Sequence, residues 1–135
     1  MEVESLLAAA MTAIPRAQFA AIIDLPSGMF LGVQPQPDTT SALDLFAATV
    51  KEIYDGEMSE GLRVPGLAAA SAGGGGGQQR VNLFVISGEE SLYVMVRMHA
   101  QPHLVLAVAC PVAANIGMSL VKARHLAQIH EIDGV

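Results

Sequence analysis

At 135 residues the chain is long enough for one domain with its own core, held without disulfide or metal staples. Apolar residues make up 52% and charged ones 15%, more apolar surface than a monomer of this size readily hides, which points to oligomerisation. A net charge of −6 without any Lys/Arg cluster excludes a sequence-independent binder of the phosphate backbone, so no nucleic-acid partner is expected.

The single cysteine, Cys110, cannot form an internal disulfide and suits a reducing compartment. The opening Met1-Glu2-Val3-Glu4 is acidic where a secretory signal would be basic, so no targeting segment is expected. The uncharged run Ala100 to Val121 is interrupted by Pro102, Pro111, Asn115 and Gly117. Its unbroken apolar part, Leu104–Ala114, is about half of the ~20 residues a membrane span needs. A soluble, cytoplasmic protein with no direct membrane insertion is expected.

Val3 to Ile14 places Leu6, Leu7, Ala10, Met11 and Ile14 at helical spacing, and Pro15 closes the helix. Ala17–Asp24 and Met29–Gln34 read as two strands joined by the turn Leu25-Pro26-Ser27-Gly28. Ser27 is a turn residue there, since no Gly-x-Ser-x-Gly nucleophile elbow surrounds it. Gln34-Pro35-Gln36-Pro37-Asp38 ends the sheet run, and Asp38 to Ser41 offer several helix caps.

Ser41 to Tyr54 is the clearest helix. Leu43, Phe46, Ala47, Val50, Ile53 and Tyr54 form one face, with Asp44, Lys51 and Glu52 opposite. Leu45 and Ala48 fall on the outer side, where an apolar pair is either incidental or a contact surface. Asp55 to Gln79 holds Gly56, Gly61, Pro65, Gly66 and the run Gly73–Gly77. That run ends Gln78-Gln79-Arg80 and leads into a strand, lacking the Gly-Lys-Ser/Thr of a phosphate loop, so 56–79 is read as a flexible loop.

Arg80–Ser87, Ser91–Met98 and His103–Cys110 follow as three antiparallel strands with hairpin-length connections. Val81, Leu83 and Val85 alternate with Asn82, Phe84 and Ile86, and the third strand is apolar on both faces, so each face of the sheet needs a cover. Asn115 can cap a last helix, Ile116 to Glu131. It carries a stripe of Ile116, Leu120, Ala123 and Ala127 and a broken second stripe of Met118, Val121 and Ile129.

Catalytic signals are weak. His99 and His103 flank a proline turn without further ligands nearby, and His125 and His130 do not share a helical face. No local carboxylate pair suggests acid–base work. Neither a catalytic residue, nor a metal site, nor a cofactor is expected, and the chain reads as a non-enzymatic protein.

The order α-β-β-α-β-β-β-α resembles the roadblock/LC7 family. The early hairpin Phe19-Ala-Ala-Ile-Ile-Asp24-Leu-Pro-Ser-Gly28-Met-Phe carries part of the likeness. So do the passage through Asn115-Ile116-Gly117-Met118 into a helix with Lys122, Ala123 and Arg124, and the middle helix ending Ile53-Tyr54-Asp55. Each motif is weak alone, their order covers nearly the whole chain, and the glycine-rich insertion before Arg80 departs from the family.

The resemblance implies an α+β sandwich with a profilin-like, five-stranded antiparallel sheet in a single domain over 1–135. The middle helix would cover one face and the terminal helices the other. It further implies a homodimer through paired edge strands and adjacent middle helices, using Arg80, Val81, Asn82, Leu83, Phe84, Val85, Thr49 and Ile53. A long apolar edge strand is a liability unless paired, which agrees. A Ras-like small GTPase is the implied partner, which the module would activate or recruit, with Leu45, Ala48 and Glu52 as its contact. The alternatives are a profilin-like or PAS-type sensor, a longin-like trafficking domain, which would begin with a strand, and a dynein light chain-type motor subunit.

Overall fold

The computed structural model describes residues 1–36, 41–56 and 81–135, with 41 and 42 described by backbone only. Apart from Gly56, the loop expected over 56–79 lies outside the described residues, and so does Arg80. The elements run α1 (Val3–Ala13), β1 (Phe19–Asp24), β2 (Met29–Gln34), α2 (Ser41–Asp55), β3 (Leu83–Ser87), β4 (Ser91–Arg97), β5 (Leu104–Pro111) and α3 (Ile116–Ile129). This is the expected order.

All five strands join one sheet in the order β2-β1-β5-β4-β3, each pair antiparallel. Central β5 is buried from Leu104 through Cys110, as its two apolar faces require. On one face Leu92, Val94, Val96, Leu104, Leu106, Val108 and Cys110 meet Leu6, Leu7 and Ala10 of α1 and Ala123, Leu126 and Ala127 of α3. On the other, Ile23, Met95, Val105 and Ala107 meet Ala47, Val50 and Tyr54 of α2. The sandwich therefore has the expected covers. Each fully buried Leu or Ile of this core, such as Leu6, Ile22 or Leu106, contributes roughly 1.5–3 kcal/mol through area removed from water.

Local chemistry sets the ends of the elements. In the β1–β2 turn the Ser27 hydroxyl donates to the Asp24 carboxylate at 2.7 Å, and Gly28 takes φ +69°, which favours glycine. Asn115 caps α3 as expected, its side chain accepting from the Met118 N–H at 3.0 Å. The buried amide of Gln101 donates to the Ile132 carbonyl at 2.8 Å and accepts from the Ile132 N–H at 2.7 Å, fastening the chain after α3 to the β4–β5 turn.

Two expectations need correction. The edge strand starts at Leu83, so Val81 does not continue its alternation. It packs with Phe84 and Tyr54 on the α2 face, while Leu83 and Val85 face the terminal helices. The buried stripe of α3 is Ser119, Ala123, Leu126 and Ala127, with Leu120 half-buried and Ile116 49% exposed. Ile116 is the first residue after the Asn115 cap and lies outside the buried stripe. Ser119 is buried without penalty because its hydroxyl donates back to the Asn115 carbonyl at 2.9 Å.

Candidate interaction site

The two sheet edges differ. On the β2 side the register slips between Ile22 and Ile23, leaving Leu31 as a bulge, and α1 packs closely on Gly32. A bulged, covered edge is a poor template for another strand. β3 is regular throughout, Leu83 opposite Val96 to Ser87 opposite Leu92, and no strand lies on its outer side among the described residues.

Two hydrogen bonds fix which backbone groups of β3 turn outward. Arg97 N–H donates to the Asn82 carbonyl at 2.7 Å, and Gly88 N–H donates to the Ser91 carbonyl at 2.8 Å. Bonding alternates along an antiparallel ladder. The even-numbered residues of β3 therefore bond to β4, and Leu83, Val85 and Ser87 turn their N–H and C=O outward. This is an open ladder of alternating donors and acceptors, flanked by partly buried Leu83, Phe84 and Val85.

The start of this ladder is clamped. The Tyr54 hydroxyl of α2 donates to the Asn82 carbonyl at 3.1 Å, and its ring lies 5.0 Å from that of Phe84. The Arg97 guanidinium sits 5.0 Å over the Tyr54 ring, donates from Nε to the Val81 carbonyl at 3.2 Å and from one Nη to the Pro102 carbonyl at 2.7 Å. Burial pushes the Tyr54 phenol well above the ordinary tyrosine range, and the nearby Arg97 charge opposes only part of that rise. The phenol thus remains a hydrogen-bond donor to β3 at every physiological pH. Neither residue was singled out for the site from sequence, although the one charge in an apolar strand (Ser91–Arg97) and a tyrosine on a core face both ask for a partner.

Of the other expected site residues, Leu45 is 70% exposed, and Ala48, Thr49 and Glu52 share its solvent face, while Ile53 is half-buried. Lys51 leaves that face, its ammonium donating to the Leu25 carbonyl at 2.8 Å. Val81, Leu83, Phe84 and Val85 gather along β3, with Asn82 exposed. Tyr54, through its contacts with Phe84 and Asn82, joins α2 to this strand. His99 and His125 are exposed, and among the described residues no three His, Cys, Asp or Glu side chains gather as metal ligands would. No described helix is long and apolar enough to cross a membrane.

No family model and no curated protein matches the sequence. Solved structures do resemble it. A roadblock/LC7 domain from Streptomyces avermitilis aligns with a TM-score of 0.65 at 18% identity, covering 94% of this chain and 92% of that one. The gliding protein MglB from Thermus thermophilus gives 0.67 at 18% identity over 93% and 83%. MglB of Myxococcus xanthus gives 0.65 at 15% identity over 94% and 92%. The chain has the roadblock/LC7 fold.

Proposed function

We propose that the chain is a non-enzymatic, homodimeric interaction module that regulates or recruits a Ras-like small GTPase. The open, clamped β3 ladder carries this reading. Three outward N–H groups and three outward C=O groups on a regular apolar strand are costly in water-excluded surroundings and suited to pairing with an identical strand. Joining two copies antiparallel through β3 makes one continuous sheet with two α2 helices on the same face, and Thr49 and Ile53 then belong to the seam. The solvent face of α2, with Leu45, Ala48 and Glu52, is the surface for the GTPase. The neighbours of this fold named MglB include a gliding protein by name, which accords with a regulatory rather than a metabolic role.

The arginine beside the edge strand does not have the setting of a catalytic finger: the Arg97 guanidinium is engaged with backbone and Tyr54. Stimulation would come from ordering the GTPase's own residues. The experiment is to mix the purified chain with small GTPases of its own genome and follow single-turnover hydrolysis and co-elution. At least one is expected to co-elute or change its hydrolysis, and Leu45→Asp should weaken that effect about tenfold, the scale of a central contact residue, without changing the dimer mass. Absence of any effect on every GTPase would overturn the reading.

A further inference from the structure

On the terminal-helix side of the sheet, between α3 and the β3–β4 end, lies a groove of about 410 Å³. Leu83, Val96, Met98, Leu120 and Ala127 make its apolar floor, and Val96, Met98 and Ala127 are buried there. Among the described residues its polar lining is Asn82, Arg97, His99, Arg124 and Gln128, without a carboxylate. That is unusual in a chain with 13 acidic residues against 7 Lys and Arg. Arg124 is exposed and makes no ion pair with a described residue. It supplies the charge on this face, because the Arg97 guanidinium lies over the Tyr54 ring on the α2 side of the sheet and only the strand's backbone is shared with the groove.

We propose that this groove docks an acidic segment of a protein partner, an apolar side chain seated on Leu83 and Leu120 and a neighbouring carboxylate on Arg124. Three observations fix that occupant. The groove presents the Arg124 guanidinium and, among the described lining residues, no carboxylate, so in an acidic protein an anionic group is attracted where most of the surface repels it. A carboxylate on a guanidinium gains two parallel charge-assisted hydrogen bonds, which gives orientation as well as affinity. The groove is open to solvent along one side and runs onto β3. A small ligand usually loses most of its surface to a pocket, whereas a polypeptide can lay one face here and leave the other in water. The groove lies on the opposite face of the sheet from α2, so it is a second surface, distinct from the one assigned to the GTPase. It does not depend on that assignment.

The test is selection of random 12-residue peptides displayed on phage against the purified full chain, followed by affinity measurement of synthetic copies. Enriched peptides are expected to place Asp or Glu beside Leu, Ile or Phe. Their binding should fall with added salt. Arg124→Glu should weaken it about tenfold or more, the scale of one lost charge-assisted contact. Leu120→Asp should do the same, with the circular dichroism spectrum of each variant checked against wild type. A Lys122→Glu control, an equal change of charge on α3 outside the groove, should leave it nearly unchanged.

No enrichment, enrichment of neutral or basic peptides, or equal binding to Arg124→Glu would overturn the proposal. So would dodecanoate binding at the groove in the absence of any peptide ligand, which would make it a small-amphiphile site. A change of oligomeric mass in Arg124→Glu would assign the groove to a second copy of the chain and overturn it as well. None of these results bears on GTPase binding at α2.

Discussion

Single residues set the strictest constraints. Tyr54 is buried with its hydroxyl on the Asn82 carbonyl, and the folded state holds its proton where an unfolded chain would release it. Its raised pKa stabilises the fold fully below the ordinary tyrosine value of about 10, and that contribution changes only as pH climbs above it. The sign follows from the proton count: above that value the unfolded chain loses the Tyr54 proton while the folded one keeps it, so stability falls with rising pH. In a Tyr93→Phe background, which leaves Tyr54 as the sole tyrosine, tyrosinate absorbance should therefore stay absent at pH near 10 and rise only with unfolding. A normal titration in the folded protein would contradict the clamp. Gly32 is a constraint of a different kind: a Cβ there would run into the Val3 side chain and lie 3.2 Å from Leu7 Cδ1. Gly32→Ala should cost about 1–3 kcal/mol in denaturant unfolding, as overpacking does, and Val3→Ala should recover much of it in the double variant. Neither feature could be read from sequence, because an α1–β2 approach and a hydroxyl partner 28 positions away are products of packing.

At the scale of elements the sequence was far more legible. Helical spacing in Ser41–Tyr54 and the twofold apolar pattern of Leu104–Cys110 carry their own signatures, and α2 and β5 follow them to within a residue or two. Asn115 marked its cap by type and position. What misled was the assumption that alternation begins where apolar residues begin: Val81 belongs to the α2 face because the chain has not yet entered the ladder. The same limit applies to Ile116, whose spacing fits the α3 stripe but whose place at the helix start leaves it exposed. The β3 ladder also gives a test specific to the element. Phe84 N–H is directed at β4, so Phe84→Pro should remove a ladder bond, at a cost of about 1–3 kcal/mol for the group left unpaired and more from the lost ring packing on Tyr54. Val85 N–H points outward, and proline is tolerated at such edge positions. Val85→Pro should therefore leave the far-UV circular dichroism close to wild type while closing the edge to a second strand, and its unfolding midpoint should lose the dependence on protein concentration that a dimer shows.

At the scale of the molecule, composition anticipated the architecture. An apolar share of 52% in 135 residues fills both faces of one sheet and leaves apolar side chains outside, among them Leu45 on α2, Ile86 on the proposed seam strand and Met118, Val121 and Ile129 on α3. The order of elements carried the resemblance to the roadblock/LC7 fold, which comparison with solved structures establishes at identities of 15–18% for three of them. At that distance the fold is preserved by pattern rather than by particular side chains. This is why the covers of the sheet could be assigned from sequence, and why the Tyr54–Arg97 clamp and the groove beside Arg124 could not.

The central claim is that β3 joins two copies, and the most direct measurement is the light-scattering mass of wild type and Val85→Pro after size exclusion. The account predicts twice the 14.1 kDa chain mass for wild type and the single-chain mass for Val85→Pro, both folded. A monomeric wild type, or a Val85→Pro variant that remains a dimer, would contradict it.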